Sequence, residues 1–354
     1  MRLRVHISTY TQFSLFEDLK TEWNPLLRRS YADSIFMTWE WCSTWWQAYQ
    51  PGGLWVHAVQ SERGELLAII PLFIEQQRQE RVARLIGCED VTDYTDFIID
   101  QDHVTPVFEA LSDLLWKNQS LTFDRLELCN VPAHSLTYSH FAPFLKSKGF
   151  ESAWVQNEVT PQIELNHDYE GYLEHNVDSK NRKEIKRKLR HAEGGEYDIR
   201  WYIVGAEHDL AQESLTFFDL MAKSNPSKAI FLSNPSHRQF FEKLIPIMSE
   251  VGWLQLTFLQ VDGVSCATYF SFDYNRRIWI YNSGLDPTKY SALSPGILLT
   301  QYLIQWAIEH HYTVFDFLRG NEEYKYRMGG KDKIIYKLRA HLNPTHETLE
   351  DVKL

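Results

Sequence analysis

The chain has 354 residues, 44% of them apolar, enough for two domains or one large one with real cores. A formal net charge of −11 argues against bulk attraction to nucleic acid or anionic membrane, so DNA is not expected as a partner and tRNA is disfavoured. Aromatic residues make up 14%, with 12 Trp, and supply both core and the ring faces that clefts use for polyhydroxylated or acyl ligands. Cys42, Cys88, Cys129 and Cys266 lie far apart in apolar contexts and read as buried free thiols. No His takes part in HExxH or a comparable spacing, so no metal is expected. The N-terminus alternates like a strand and lacks a signal core, and no window reaches the about 20 apolar residues of a membrane span. Those features predict a cytoplasmic protein; the oligomeric state is left open.

The first half opens with a strand over 4–9 and a helix over 13–30. In FMTWEWCSTWWQAYQ, residues Trp39, Cys42, Trp45, Trp46 and Tyr49 fall at helical spacing, and the aromatic face suits a core or a ligand. LWVHAVQ and ELLAIIPLFIEQQ flank the turn SERG, a hairpin signature; RVARLIG and DYTDFIID read as further strands. A helix over 105–117, strand FDRLELCN, a helix over 134–148 and strand FESAWVQN complete this half.

The second half has helical stretches over 168–191 and 209–223 with strand YDIRWYIV between them, then a helix over 236–251. WLQLTFLQVD and VSCATYFSFD join through Asp262-Gly263, a second hairpin. Strand RRIWIYNSGLD, a helix opened by Ser294-Pro295-Gly296, strand TVFDFLRG and strand KIIYKLRA follow. Both halves therefore run helices, then antiparallel strands, then strand–helix–strand. The fold class is α/β (α+β), with mixed central sheets flanked by helices and domains at 1–160 and 161–354, the boundary near Pro161.

The stretch 281–330 carries the chemistry. A Ser-Pro-Gly turn opening a helix can offer N–H groups and a positive dipole end to a phosphate. It also has a plain explanation: Ser caps, Pro suits the first helical position, and Gly relieves crowding. One strand later come Asp316, Arg319, Tyr324, Lys325 and Tyr326, a dense acid/base cluster. Asp316 sits among apolar neighbours and needs a cation such as Arg319 or Lys325, either as a structural pair or as a base. The pairing points to group transfer from a phosphate-bearing donor. Lys180–Arg190 carries seven Lys/Arg, which reads as a solvated face or as an anion contact, with Arg182 and Arg187 as candidates. Asp93, Tyr94 and Asp96 either cap a strand or hydrogen-bond a polyol acceptor.

This order, with DYTDF, SKNRKEIKRKLR, YSALSPGILL and FDFLRGNEEYKYRMG, resembles the GNAT-superfamily acyltransferases of the CelD-like type, relatives of FemAB-like tandem GNAT proteins. The resemblance spans about Trp39 to Ala340. It implies acyl-CoA, such as acetyl-CoA, as co-substrate and a small-molecule or glycan-type acceptor. It implies that Ser294 and the amides of Gly296, Ile297 and Leu298 hold the pyrophosphate, aided by Arg319, while Tyr281 and Asn282 either face the acyl group or are core side chains. A tyrosine, Tyr324 or Tyr326, would protonate the thiolate, and Lys325 would stabilise the oxyanion. The superfamily's phosphate loop has two small positions where this chain has Gly296 alone. The first half lacks such a helix start and is expected to be a degenerate domain shaping the acceptor cleft. FemAB-like relatives use aminoacyl-tRNA, and an accessory role in exopolysaccharide synthesis is the remaining alternative.

Overall fold

The computed structural model describes residues 4–88 and 91–342. Two compact units are present: the first takes the chain to Glu158 and again from Ile334, and the second is Val159–Lys333.

The first unit begins with β1 (Val5–Tyr10), α1 (Leu15–Asp18), α2 (Lys20–Leu27) and α3 (Trp39–Tyr49). It continues with β2 (Gly53–Ser61), β3 (Leu66–Gln77), β4 (Glu80–Leu85) and β5 (Ile98–Ile99). Then come α4 (Val104–Asn118), β6 (Arg125–Pro132), α5 (Leu136–Ser147) and β7 (Phe150–Glu164), which leads into the second unit. The sheet runs β1-β2-β3-β4-β6, antiparallel except for the parallel β4–β6 pair that α4 connects. Leu111 and Leu115 of α4 and Phe141 and Leu145 of α5 share one core with Leu72, Leu85 and Leu126 of the sheet. The aromatic helix α3 packs on the other face of the sheet: the Trp45 and Trp46 rings lie 5.7 and 5.8 Å from Phe73, which neighbours Leu72 on β3 and so points away from that core.

Two expectations change here. DYTDFIID yields only the short β5, because the Asp96 carboxylate turns back to accept the Phe97 N–H at 2.8 Å and the residues before it form a buried loop. Cys42 and Cys266 are free and buried as expected, but Cys88 and Cys129 are joined, their Cα atoms 5.7 Å apart, a span a disulfide bridges.

The second unit holds α6 (Tyr169–His175), α7 (Ser179–Glu193), β8 (Ile199–Ile203), α8 (Leu210–Ser224), α9 (Pro226–Ser233) and α10 (Pro235–Glu250). The expected helix over 168–191 is two, because Asp178 caps a new start by accepting from the Lys180 and Asn181 N–H groups. Helix α9 went unforeseen, although Asn225 and Asn234 each cap a helix with Pro at its first turn. Next are β9 (Leu254–Val261), β10 (Val264–Tyr274), β11 (Arg277–Leu285), α11 (Pro295–Glu309), β12 (Val314–Asp316) and the short α12 (Glu323–Arg327). The sheet order is β7-β12-β11-β10-β9-β8, with β11–β12 its parallel pair. Pairing of β11 to β12 stops at Trp279, and the register of β11 against β10 slips at Tyr281, so the strand bends where it leaves β12.

The last strand, β13 (Lys331–Leu342), corrects the domain division. The order of elements in the sequence puts it in the second half, but Ile335–Ala340 pairs antiparallel with β6 in the first unit.

Candidate active site

Between β11 and α11 the second unit contains a cavity of ≈ 420 Å³. Its floor is Ala267–Tyr269 of β10 and Ser283–Leu285 of β11; its walls are the start of α11, from Ser294 to Thr300, with Tyr324 of α12 and Met328 just after it. Gly284 allows this layering: a Cβ there would meet the Met221 backbone N of α8 at 2.6 Å.

The helix start does not behave as a plain cap. Ser294 sits in the left-handed region (φ 55°) and makes no side-chain cap bond. Its hydroxyl instead accepts from Lys188 Nζ of α7, whose other partner is Glu184 at 3.3 Å. A Cβ on Gly296 would meet nothing within 4 Å, so this glycine relieves no crowding and faces open space. Ile297 and Leu298 were expected to offer free amides, but both donate to the Ser294 carbonyl, at 2.9 and 3.2 Å. Among the described residues of this turn, the Gly296 N–H is left without an acceptor. The terminus thus offers one amide, a hydroxyl, a lysine and the dipole end of a 15-residue helix.

On the far side, the half-buried Tyr324 lines the cavity, with its ring 5.9 Å from Phe317. It hydrogen-bonds the Tyr269 hydroxyl, which meets Thr300 Oγ1 at 2.8 Å, and Thr300 donates to the Gly296 carbonyl at 2.7 Å. One chain of hydroxyls therefore links Tyr324 to the start of α11. Burial, with Tyr269 and Glu322 adding to it, holds the Tyr324 hydroxyl well above the usual phenol range, so it keeps its proton. Tyr326 points elsewhere: it is exposed and donates to Asp332 at 2.8 Å.

The remaining candidates are not part of this cavity. Lys325 is buried and spends its ammonium on the carbonyls of Leu318, Arg319 and Gly320 (3.1, 2.6 and 3.1 Å) and on Glu322 at 2.9 Å. It clamps a loop in which Leu318 and Gly320 have positive φ, so an oxyanion role is replaced by a structural one. Asp316 is fully buried and accepts from Gln162 Nε2 and from the Leu318 N–H, both at 2.8 Å, which fixes the turn after β12. Arg319 presents its backbone to Lys325. Tyr281, the bulged residue, packs among Phe241, Phe270 and Phe272 at 5.5 to 5.8 Å, and Asn282 beside it is partly exposed outside the cavity lining. Arg182 donates to the carbonyls of Leu173 and Glu174 at the end of α6, and Arg187 pairs with Glu184 on the exposed face of α7. Asp93, Tyr94 and Asp96 are buried in the first unit, and Asp96 accepts from the Phe97 N–H, as in the strand-capping alternative. Burial pushes the Asp96 carboxyl up to about 7 against hydrogen bonds from Ser135, Thr137 and the Phe97 N–H.

One site residue lay outside the expected set: Lys188, which had a signal, since it follows Ile185 by three and flanks the narrow apolar edge by which α7 packs.

Residues 179–326 match the family described as acetyltransferase (GNAT) domain. The matched stretch lies within the second unit, Val159–Lys333, and is similar to a GNAT-type acetyltransferase domain. Solved structures share the fold over nearly the whole chain. The chain superposes on FemX with a TM-score of 0.66 at 10% identity, covering 94% of this chain and 96% of that one. A conserved protein of unknown function from Bacteroides thetaiotaomicron gives 0.61 at 11%, covering 96% and 100%. The L-PGS structure from Bacillus licheniformis gives 0.54 at 11%, covering 92% and 93%. No curated protein matches the sequence. Among the described residues, no group of three or more His, Cys, Asp or Glu could hold a metal ion, and no helix is long and apolar enough to cross a membrane.

Proposed function

We propose that the second unit binds an acyl-CoA, acetyl-CoA in the simplest case, and transfers its acyl group directly to a small-molecule or glycan-type acceptor. The observation that carries this is one cavity lined both by Ser294 and Gly296 at the start of α11 and by Tyr324. The pyrophosphate would meet the Gly296 N–H, the Ser294 hydroxyl and Lys188, a charge-assisted set at a helix N-terminus. The pantetheine arm would run along β11 where β12 has stopped pairing, by backbone hydrogen bonds. In the transfer, the acceptor's oxygen or nitrogen forms a bond to the thioester carbonyl carbon and the carbon–sulfur bond breaks. Tyr324, still protonated, gives its proton to the leaving thiolate. Holding both substrates in line supplies much of the acceleration. Within the superfamily, the YSALSPGILL and FDFLRGNEEYKYRMG segments support the CelD-like type.

Thermal-shift titration with acetyl-CoA, longer acyl-CoAs and bulk tRNA tests the donor class, because a ligand of the folded state raises the melting temperature. The expected result is stabilisation by an acyl-CoA at micromolar concentration and none by tRNA. Stabilisation by tRNA alone would replace this reading with an aminoacyl-tRNA-dependent one.

A further inference from the structure

Ser283 lies on β11 two residues beyond the bulge and lines the cavity. Behind it stands Lys228 of α9, with Nζ 2.6 Å from the Ser283 carbonyl and 2.9 Å from Ser283 Oγ. Among the described residues no carboxylate forms an ion pair with this amine. Burial brings it down to about 8; the charge of Glu322 works the other way and that of Lys325 adds to the lowering. Other charges near α9 are compensated locally: Lys223 by Asp219 on α8, and Arg238 by Glu242 on α10. His237 of α10 stacks on Phe231 of α9. Asp286, the one carboxylate among the lining residues, is a poor proton acceptor: hydrogen bonds from the Thr288 hydroxyl and N–H hold it below the usual carboxylate range.

We propose that Ser283 and Lys228 together take up the proton that the acceptor loses. The inference rests on the acyl-CoA reading above. As the acceptor's oxygen or nitrogen bonds to the thioester carbon, its proton passes to Ser283 Oγ while the Ser283 proton passes to neutral Lys228 Nζ. The carbon–sulfur bond breaks and the thiolate takes its proton from Tyr324. Lys228 later releases its proton to solvent and Tyr324 regains one, so protons balance over a turnover. Lys228 acts through Ser283, and the carbonyl bond it keeps holds the pair in register.

The test follows thiol release from acetyl-CoA with hydroxylamine as the acceptor probe, alongside calorimetric acetyl-CoA affinity and the melting temperature. In the wild type kcat/KM should climb tenfold per pH unit and level off near pH 8. Lys228→Arg keeps the charge and the carbonyl bond yet accepts no proton; it should lower kcat/KM at that pH by more than about tenfold and flatten the climb. Ser283→Ala should lower it by a similar factor, with acetyl-CoA affinity unchanged in both. A Lys228→Arg enzyme that binds acetyl-CoA and keeps the wild-type climb would overturn the proton assignment alone. A wild type that binds no acetyl-CoA sinks the donor reading and this inference with it. If hydroxylamine gives no turnover, carbon-13 NMR of labelled lysine decides. A Lys228 titration near 8 that moves in Ser283→Ala supports the pair, and one at the ordinary lysine value of about 10.4 overturns it.

Discussion

Each unit makes one parallel strand–helix–strand crossover, β4–α4–β6 in the first and β11–α11–β12 in the second, and the two differ at the helix start. Ahead of α4 the chain supplies its own anion. Asp100 accepts from the Asp102 N–H at 3.0 Å and from Arg29 Nε at 2.9 Å, with His103 Nδ1 at 3.3 Å. Burial works against its charge, but the bonds from Arg29, Asp102 and His103 prevail and hold the carboxyl below its usual range. Ahead of α11 no carboxylate takes that place: the Gly296 N–H has no acceptor among the described residues, open space lies in front of it, and Lys188 stands at Ser294. The entry to the crossover helix thus carries an internal carboxylate in the first unit, where Asp100 caps the 3-10 turn Gln101–His103 that runs into α4, and is left clear by small residues in the second. That contrast supports the proposal that the donor binds in the second unit.

Substitutions that fill or empty these two ends should break the contrast. Gly296→Asp should weaken acetyl-CoA binding by about 100-fold or more, because a carboxylate would occupy the phosphate position. Calorimetry reads the loss, and an unchanged melting temperature is expected since a Cβ there meets nothing. Tyr324→Phe should lower kcat by about 100-fold with acetyl-CoA affinity intact, whereas Tyr326→Phe should leave kcat within about twofold. Equal effects of the two would dissociate the cavity from the chemistry. Lys188→Met should raise the acetyl-CoA Kd by about 3- to 10-fold, an effect that shrinks as salt is added. A salt-independent loss would mean that Lys188 only packs.

At the capped end, Asp100→Asn should cost about 1–3 kcal/mol in urea denaturation at neutral pH and leave acetyl-CoA binding unchanged. The folded-state carboxyl titrates below its unfolded value, so its stabilisation is present above about pH 4 and disappears as pH falls through the folded value. The gap between wild type and Asp100→Asn should therefore close in acid; a constant gap would argue against the charged cap.

Much of this contrast was legible in the residues. Ser-Pro-Gly before an apolar helix announced the α11 terminus, and its distinction from the first half was visible as a missing motif. The helix pattern failed where a cap interrupts a continuous amphipathic run, as Asp178 does between α6 and α7. It failed again at DYTDFIID, where alternation suggested a strand and the Asp96 bond to the Phe97 N–H made a loop. Neither miss came from wrong propensities; short side-chain bonds to the backbone outcompeted the ladder.

Local spacing determined the α/β class, the order of elements, the tandem pattern and the anion-friendly helix start, because these depend on neighbours within a turn or a strand. Only the tertiary structure chose among the polar residues. It put Tyr324 on the cavity and Tyr326 outside, turned Lys325 onto three carbonyls, and gave β13 to the first unit. It brought Lys228 to Ser283 across 55 positions of sequence and Lys188 to Ser294 across 106. No periodicity encodes such pairs: a long polar side chain goes where burial leaves it a partner, and the packing of α9 on α8, which itself lies on β11, and of α7 against α11 creates that partner.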